Sequence, residues 1–322
     1  MPKWIWLPEG SYPNRQKTIY SAFMDKSVGN YTVAEFQKTY TFEKEISSVN
    51  LRFSADTEFQ LFCNEDFAVT GPASVGGDFL GNDKPRPNFY ATETAYTPNG
   101  KTLSFFARVK MMPVKICDYS KGHGGFLLTA QVIFEDESVI IIGTDESWQV
   151  RFNGAYTTPY HFDGRIEPDA FVSAQVTEDI WDVTIAPIPP RTEQKIIPQN
   201  GVIHLSAGEE RTVELPFDMI YGGFLNMHTE GEGTVYANVN CRELDEQGSC
   251  EKVILKGNAQ YRGFEMHSAG NLLVQVKNES DSHAVLECAL IATHYPVTET
   301  AETLTDDEQL NEVLRVCEHT LK

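Results

Sequence analysis

An all-β chain, two β-sandwich domains in series with a short C-terminal helix, is what this sequence predicts. Three observations carry the expectation. Apolar and polar residues alternate in short runs, the period-two signature of strands with one buried face. Gly, Asn and Asp turns interrupt these runs about every ten residues without a fixed repeat, which favours sandwiches over βαβ units, propellers or solenoids. A helical period occurs convincingly at one place, the C-terminus.

The totals bound the function. A chain of 322 residues holds about two domains. Its 46 acidic and 26 basic residues give a formal charge of −20, a surface that repels phosphate backbones and anionic lipids, so neither nucleic acid nor membrane is an expected partner. No apolar run of about 18 residues is present and the N-terminus has no apolar core of a signal peptide, so a soluble, cytoplasmic protein is expected. Cys63, Cys117, Cys241, Cys250, Cys288 and Cys317 include no Cys-x-x-Cys pair and read as reduced core thiols. The eight histidines show no i, i+2 or i, i+4 clamp. Hence no metal and no cofactor is expected.

In chain order, Trp4 to Phe42 alternates aromatic and polar residues. Val49, Leu51, Phe53 and Ala55 then alternate with Asn50, Arg52 and Ser54, and Phe59, Leu61 and Cys63 repeat the pattern after a turn at Asp56-Thr57. Gly76 to Asn88 is a Gly/Asp/Asn/Pro-rich loop, and Lys101 to Val109 another strand. The stretch from Gly122 to Trp148 is a glycine bend, an apolar run Phe126–Phe134, an acidic turn Glu135-Asp136-Glu137 and a second run Val139–Ile142. It predicts a hairpin buried on both faces, with Trp148 returning to the core. Prolines 187, 189, 190 and 198 mark the linker, since proline lacks the donor a ladder needs. Seven short strands follow, near Thr212–Leu215, Phe224–Thr229, Thr234–Cys241, Val253–Leu255, Tyr261–His267, Leu272–Val276 and Ala284–Thr293. Thr305 to Glu308 reads as a capping box, and Leu310, Val313, Leu314, Cys317 and Leu321 share one helical face.

Several of these stretches together resemble the front of bacterial α-L-rhamnosidases. The hairpin ending in Thr144-Asp145-Glu146-Ser147-Trp148 is similar to the family's last sandwich hairpin. SADTEFQLFCNEDFAVTGP is similar to its S-A-D-x-x-Y-x-L-x-V-N-G stretch ending in G-P. Here Phe59 replaces the usual Tyr, and Glu65 replaces the Gly after Asn64, so a turn of a different type is expected. Asp163-Gly164-Arg165 stands where the family has D-A-R. Glu214-Leu215-Pro216-Phe217-Asp218, Tyr221-Gly222-Gly223-Phe224 and His294-Tyr295-Pro296-Val297 extend the likeness, the last resembling the junction before a helical barrel. Glu243, after a strand, stands where the family often has a Y-S-E-x-L-like sequence.

The resemblance implies a galactose-binding-like jelly roll over residues 1–190, a second sandwich over 191–296, and over 297–322 a linker with the first helix of an (α/α) catalytic domain. It implies a non-catalytic, carbohydrate-associated portion of a glycoside hydrolase whose partners are rhamnose-containing glycans. The family's inverting hydrolysis of terminal α-L-rhamnosides uses an acid and a base lying later in the helical barrel, so no catalytic residue maps onto this chain. Two alternatives are a stand-alone carbohydrate-binding protein and the front of a β-galactosidase- or β-glucuronidase-like enzyme. The C-terminal helix disfavours the second, because that family continues into a (β/α) barrel.

Candidate site residues are few. Asp78, Asn82 and Asp83 cluster hard oxygens in one loop with Tyr90 just beyond, a composition that suits sugar hydroxyls on an aromatic platform, or calcium. Gly122-His123-Gly124-Gly125 looks like an esterase oxyanion loop but has no Gly-x-Ser-x-Gly elbow to serve, and reads as a flexible bend. His123, His161, His228, His267 and His294 read as surface or satisfied histidines.

Overall fold

The computed structural model describes residues 1–11, 31–65, 67–72, 88–111, 124–177, 182–244, 248–296 and 305–321. Among them the chain is all-β, with 22 strands in three sheets and one helix, Glu308–Leu321. The seven-stranded sheet runs Gln175–Val176, Ile5–Trp6, Gly125–Phe134, Ile46–Asp56, Asn88–Tyr96, Asp182–Ile185, with Val139–Gly143 beside Gly125–Phe134. The six-stranded sheet runs Val172–Ser173, Gln149–Phe152, Thr32–Thr41, Thr102–Met111, Glu58–Cys63, Phe67–Pro72. The nine-stranded sheet runs from Tyr156–Thr158 and His161–Asp163 through Ser249–Lys256, Thr234–Arg242, Gln260–Asn278, Glu210–Glu230 and Ala284–His294 to Thr192–Ile196, with Val202–Leu205 also beside Ala284–His294.

The first core lies between the seven- and six-stranded sheets. Phe36 of the six-stranded sheet meets Phe126 and Trp6 of the seven-stranded one, with ring centroids 5.2 and 5.8 Å away. Trp148 is fully buried, stacked on Phe105 and edge-on to Phe126, and its indole Nε1 donates to the Gly143 carbonyl at 3.0 Å. An aromatic delivered by a polar turn thus satisfies its one donor without leaving the core. Gly124 is required twice over: its φ of 69° is left-handed, and a Cβ there would collide with the Trp6 indole.

The six-stranded sheet is buried on its second face too. In Thr32–Thr41, Ala34 and Phe36 enter the first core, whereas Val33, with Tyr31 just before it, joins a second core enclosed by the nine-stranded sheet. Thr32 to Phe36 is accordingly buried at every position. The second core holds Leu215, Leu225, Val239, Val274, Leu286 and Leu290.

Several details differ from the sequence expectation. The hairpin is not buried on both faces: Gly125–Phe134 alternates buried and part-buried positions, and Val139, Ile140 and Ile141 are exposed. Val139–Gly143 is an edge strand that pairs with Gly125–Phe134 alone; Ile142 packs against the first core, while Val139, Ile140 and Ile141 are left at the surface. Four of the seven later strands merge into two, Glu210–Glu230 and Gln260–Asn278, with register shifts between Pro216 and Tyr221 and between Phe224 and Asn226. Pro216 has no N–H for the ladder, so the pairing bulges there instead of ending. The proline-marked linker contains a strand, Thr192–Ile196, paired with Ala284–His294 between the prolines. Asn64 and Glu65 take φ of 47° and 68°, so the turn keeps a glycine-like backbone without glycine. Asn64 steadies it, accepting from the Ser104 N–H at 2.7 Å and donating to the Thr102 carbonyl at 3.0 Å.

The helix is capped by Asp307 rather than Thr305. The Asp307 Oδ1 accepts from the N–H groups of Gln309 and Leu310, at 2.9 and 3.2 Å, as an N-cap carboxylate does. Leu310 and Val313 are exposed. Of the cysteines, Cys63, Cys241 and Cys288 are buried thiols as expected, Cys250 and Cys317 are exposed, and Cys117 lies outside the described residues.

Trp148→Ala should cost about 3–5 kcal/mol of stability in chemical denaturation, the usual loss for a large buried aromatic. A loss under about 1 kcal/mol would show that the indole is not a core element.

Candidate functional site

The outward face of the six-stranded sheet builds the site. On the face turned away from the first core, the polar residues Glu35, Gln37, Gln60, Arg108 and Lys110 stand among the apolar Val33, Phe62 and Phe106. At one end they are sealed against the nine-stranded sheet. Glu35, 1% exposed, accepts from Arg108 Nε at 2.9 Å, Arg151 Nε at 2.7 Å and Asn153 Nδ2 at 2.8 Å. Gln60 donates to the Gly263 carbonyl at 2.8 Å and accepts from Arg108. Lys110, 2% exposed, sits between Glu58 at 2.8 Å and Glu265 at 2.7 Å. Arg262 pairs with Glu193 within the nine-stranded sheet, at 2.7 Å, and reaches across to Thr70 of the six-stranded one. Buried charges persist only when paired like this.

Burial by itself would raise the Glu35 pKa. Arg108 and Arg151, with the hydrogen bonds from Asn153 and Arg108, outweigh it and hold the carboxyl below the usual carboxylate range. The Lys110 ammonium, which burial would push down, is instead held above its usual range by Glu58 and Glu265.

At the other end the two sheets part, leaving a cleft of about 1130 Å³. Phe62 and Phe106 stand on one wall with centroids 6.0 Å apart; the guanidinium of Arg262 lies over the first ring at 5.6 Å and that of Arg108 over the second at 5.4 Å. Gln37, Gln149, Asn226 and Gln260 supply amides along the walls. Part-buried aromatic faces beside rigidly held polar groups suit a flat molecule that is apolar on its face and hydroxylated at its edge. Glu65 is the one carboxylate lining this cleft among the described residues.

A smaller cleft of about 590 Å³ lies between Glu214, Pro216, Glu243 and Asn271. It places Glu243 at a surface opening without an aromatic wall. His267, 3% exposed, lies between Glu251 at Nε2 and Ser249 at Nδ1, and Glu251 also accepts from the Tyr261 hydroxyl. It is a satisfied buried histidine. His161 lies in a strand, not a loop, and His228 lies inside Glu210–Glu230. No cluster of metal-ligating residues occurs among the described residues.

Asp78, Asn82, Asp83 and His123 lie outside the described residues, and of Tyr90 only the backbone is placed, in Asn88–Tyr96. The cleft residues come instead from eight strands of two sheets and the turns beside them, and no local motif announces them. Their one sequence signal was polar residues recurring on the second face of strands whose first face is apolar.

No protein-family model matches the chain, and no curated protein matches it in sequence. Solved structures do. The α-L-rhamnosidase from Dictyoglumus thermophilum superposes with a TM-score of 0.57 at 17% identity, over 97% of this chain and 38% of that one. That from Streptomyces avermitilis, complexed with L-rhamnose, gives 0.54 at 14% over 89% and 31%, and that from Aspergillus terreus 0.53 at 14% over 88% and 36%. The fold is one that α-L-rhamnosidases contain. This chain spans about a third of the length of those enzymes. Among its described residues no helix is long and apolar enough to cross a membrane.

A carboxylate whose pKa is depressed on folding adds stability above its unfolded pKa and loses it as pH falls through the folded one. Glu35→Ala should therefore cost about 3–5 kcal/mol at neutral pH, because two arginines lose their counter-charge. The deficit should begin to shrink below about pH 4.3, where the wild-type carboxyl also loses its advantage. Denaturation curves for both proteins at stepped pH measure it, and a deficit independent of pH would show that Glu35 acts by packing alone.

Proposed function

We propose that the chain is the non-catalytic, carbohydrate-holding β-sandwich portion of an α-L-rhamnosidase-like glycoside hydrolase, and that the cleft between the six- and nine-stranded sheets holds the sugar. The observation that carries this is the make-up of the cleft: the Phe62 and Phe106 faces, five side-chain amides and backing ion pairs that keep the walls fixed. Sugars bind where C–H faces meet aromatic rings and hydroxyls meet anchored polar groups. The fold shared with three α-L-rhamnosidases supports the parentage, and the Streptomyces avermitilis enzyme is one complexed with L-rhamnose.

The assignment is non-catalytic because glycoside hydrolysis needs two carboxylates about 5–10 Å apart across the scissile bond, and among the described residues Glu65 stands alone on these walls. In this reading residues 1–190 form a galactose-binding-like jelly roll and 191–296 a second sandwich, with the strand His161–Asp163 of the first pairing in parallel with Ser249–Lys256 of the second. Residues 297–322 then lead toward a helical catalytic domain.

Calorimetric titration with rhamnose-containing oligosaccharides tests the reading. Binding is expected, with Phe106→Ala weakening it about tenfold through loss of one stacking face. A chromogenic α-L-rhamnoside should not turn over. Binding indifferent to Phe106→Ala would move the sugar out of this cleft, and turnover lost in Glu214→Gln or Glu243→Gln would overturn the non-catalytic assignment.

A further inference from the structure

The edge strand Val139–Gly143 departs from the way the other edges of this molecule are built. Val139, Ile140 and Ile141 are 47%, 37% and 68% exposed, so consecutive apolar side chains meet water on both faces of one strand. Edge strands are ordinarily blunted by a charge or a proline, because their open row of N–H and C=O groups pairs with any extended chain. Two other edges follow that rule: Thr192–Ile196 carries Glu193 and Lys195, and Phe67–Pro72 ends on proline. The run Val-Ile-Ile-Ile-Gly has neither.

The ladder shows which backbone groups are open. The Phe134 N–H donates to the Ser138 carbonyl and the Thr144 N–H to the Leu128 carbonyl, both at 3.0 Å. Antiparallel pairs alternate, so Ser138, Ile140, Ile142 and Thr144 turn their N–H and C=O groups toward Gly125–Phe134. Those of Val139 and Ile141 point the other way, where no strand pairs with them among the described residues. The Gly143 carbonyl is taken by Trp148 and Tyr40. Beyond it the outer row is filled, because Ile5–Trp6 lies on the same side of Gly125–Phe134 and itself pairs with Gln175–Val176. The open edge is therefore confined to the stretch from Val139 to Ile142.

Charge decides what fits there. Glu135, Asp136 and Glu137 stand before the strand, and Asp145 and Glu146 after it. Lys44 pairs with Asp136 and Lys3 with Glu146, which leaves both ends acidic. A second copy pairing antiparallel would set the acidic turn of one chain beside Asp145 and Glu146 of the other, and each copy carries −20. A strand with cations at its two ends meets the same edge with attraction at both.

We propose that Val139 to Ile142 is a docking edge for an extended segment of a partner protein, apolar in its middle and bearing lysine or arginine at both ends, which adds a strand to the seven-stranded sheet. Main-chain hydrogen bonds to Val139 and Ile141 hold the segment, and the side chains of these two residues meet its apolar ones on the outer face. The carboxylates beyond either end select the basic flanks. This surface is separate from the cleft, and the proposal does not rest on the carbohydrate reading.

Anisotropy titration of the whole chain into a labelled peptide, Lys-Lys-Val-Thr-Val-Thr-Val-Lys-Lys, tests it. A Kd of roughly 10–100 μM is expected, about tenfold weaker when the lysines are replaced by glutamates, with that preference gone near 1 M salt, where the screening length is about 3 Å. Ile141→Pro removes a donor that takes no part in the strand's own ladder, so it should weaken binding about tenfold with the melting temperature retained. Peptides methylated on every second backbone nitrogen probe the same bonds without changing the protein, and in one of the two frames binding should be lost. Absence of binding overturns the proposal. Binding that survives both Ile141→Pro and methylation in either frame overturns the edge as its place. Equal binding of the lysine and glutamate peptides overturns the basic class of partner. A dimer that forms with rising concentration in sedimentation, and is lost in Ile141→Pro, overturns the choice of occupant and makes it a second copy of this chain.

Discussion

Glu35 is buried from water yet ionised, and that single requirement orders much of the molecule. A carboxylate in such a place needs charged partners in fixed positions, and Arg108, Arg151 and Asn153 provide them from two neighbouring strands and the turn beyond one of them. Each partner is then itself tied: Arg108 to Gln60, and Gln60 to the backbone of Gly263 in the nine-stranded sheet. The six-stranded sheet therefore has two different buried faces. One is apolar; the other carries the polar bridges to the nine-stranded sheet, from Gln60 to Gly263 and from Lys110 to Glu265. The second fixes how the nine-stranded sheet lies on it, and hence where the two part to leave the cleft.

That arrangement explains why the walls of the cleft can be both charged and still. Arg108 and Arg262 lie over Phe106 and Phe62 because their other nitrogens are held by Glu35 and Glu193. A guanidinium anchored on one side and lying over a ring on the other has little rotamer freedom left to lose on binding. The arginines of the walls also take part in the hydrogen bonds that join the layers, Arg108 through Gln60 and Arg262 through Thr70, so binding and layer packing are coupled through shared residues.

Much of the fold was legible because period-two alternation is a local signal. Leu51, Phe53 and Ala55, or Phe59, Leu61 and Cys63, announce strands whichever sheet they join, and Trp148 after a polar turn announces its own burial. The errors came from what pairing partners decide. Val139, Ile140 and Ile141 are as apolar as a core strand, yet they lie exposed on an edge strand with one pairing partner. Pro216 reads as a strand end, yet a bulge carries the ladder past it. The N-cap moved to Asp307 because two consecutive aspartates followed Thr305, and local geometry chose between them. The cleft was not legible at all. Phe62 and Phe106 read as ordinary strand residues until another sheet stands opposite them, while the oxygen-rich loop that drew attention, with Asp78, Asn82 and Asp83, lies outside the described residues.

The claim on which the functional account rests is that sugar sits between the two sheets. A crystal structure of the chain grown with a rhamnose-containing oligosaccharide measures this directly. The account predicts sugar rings against Phe62 and Phe106, with sugar hydroxyls within hydrogen-bonding distance of the side-chain amides of the walls, at about 3 Å. Sugar bound elsewhere, in the smaller cleft beside Glu243 or in the loop around Asp78, with the space between the sheets holding only water, would contradict it.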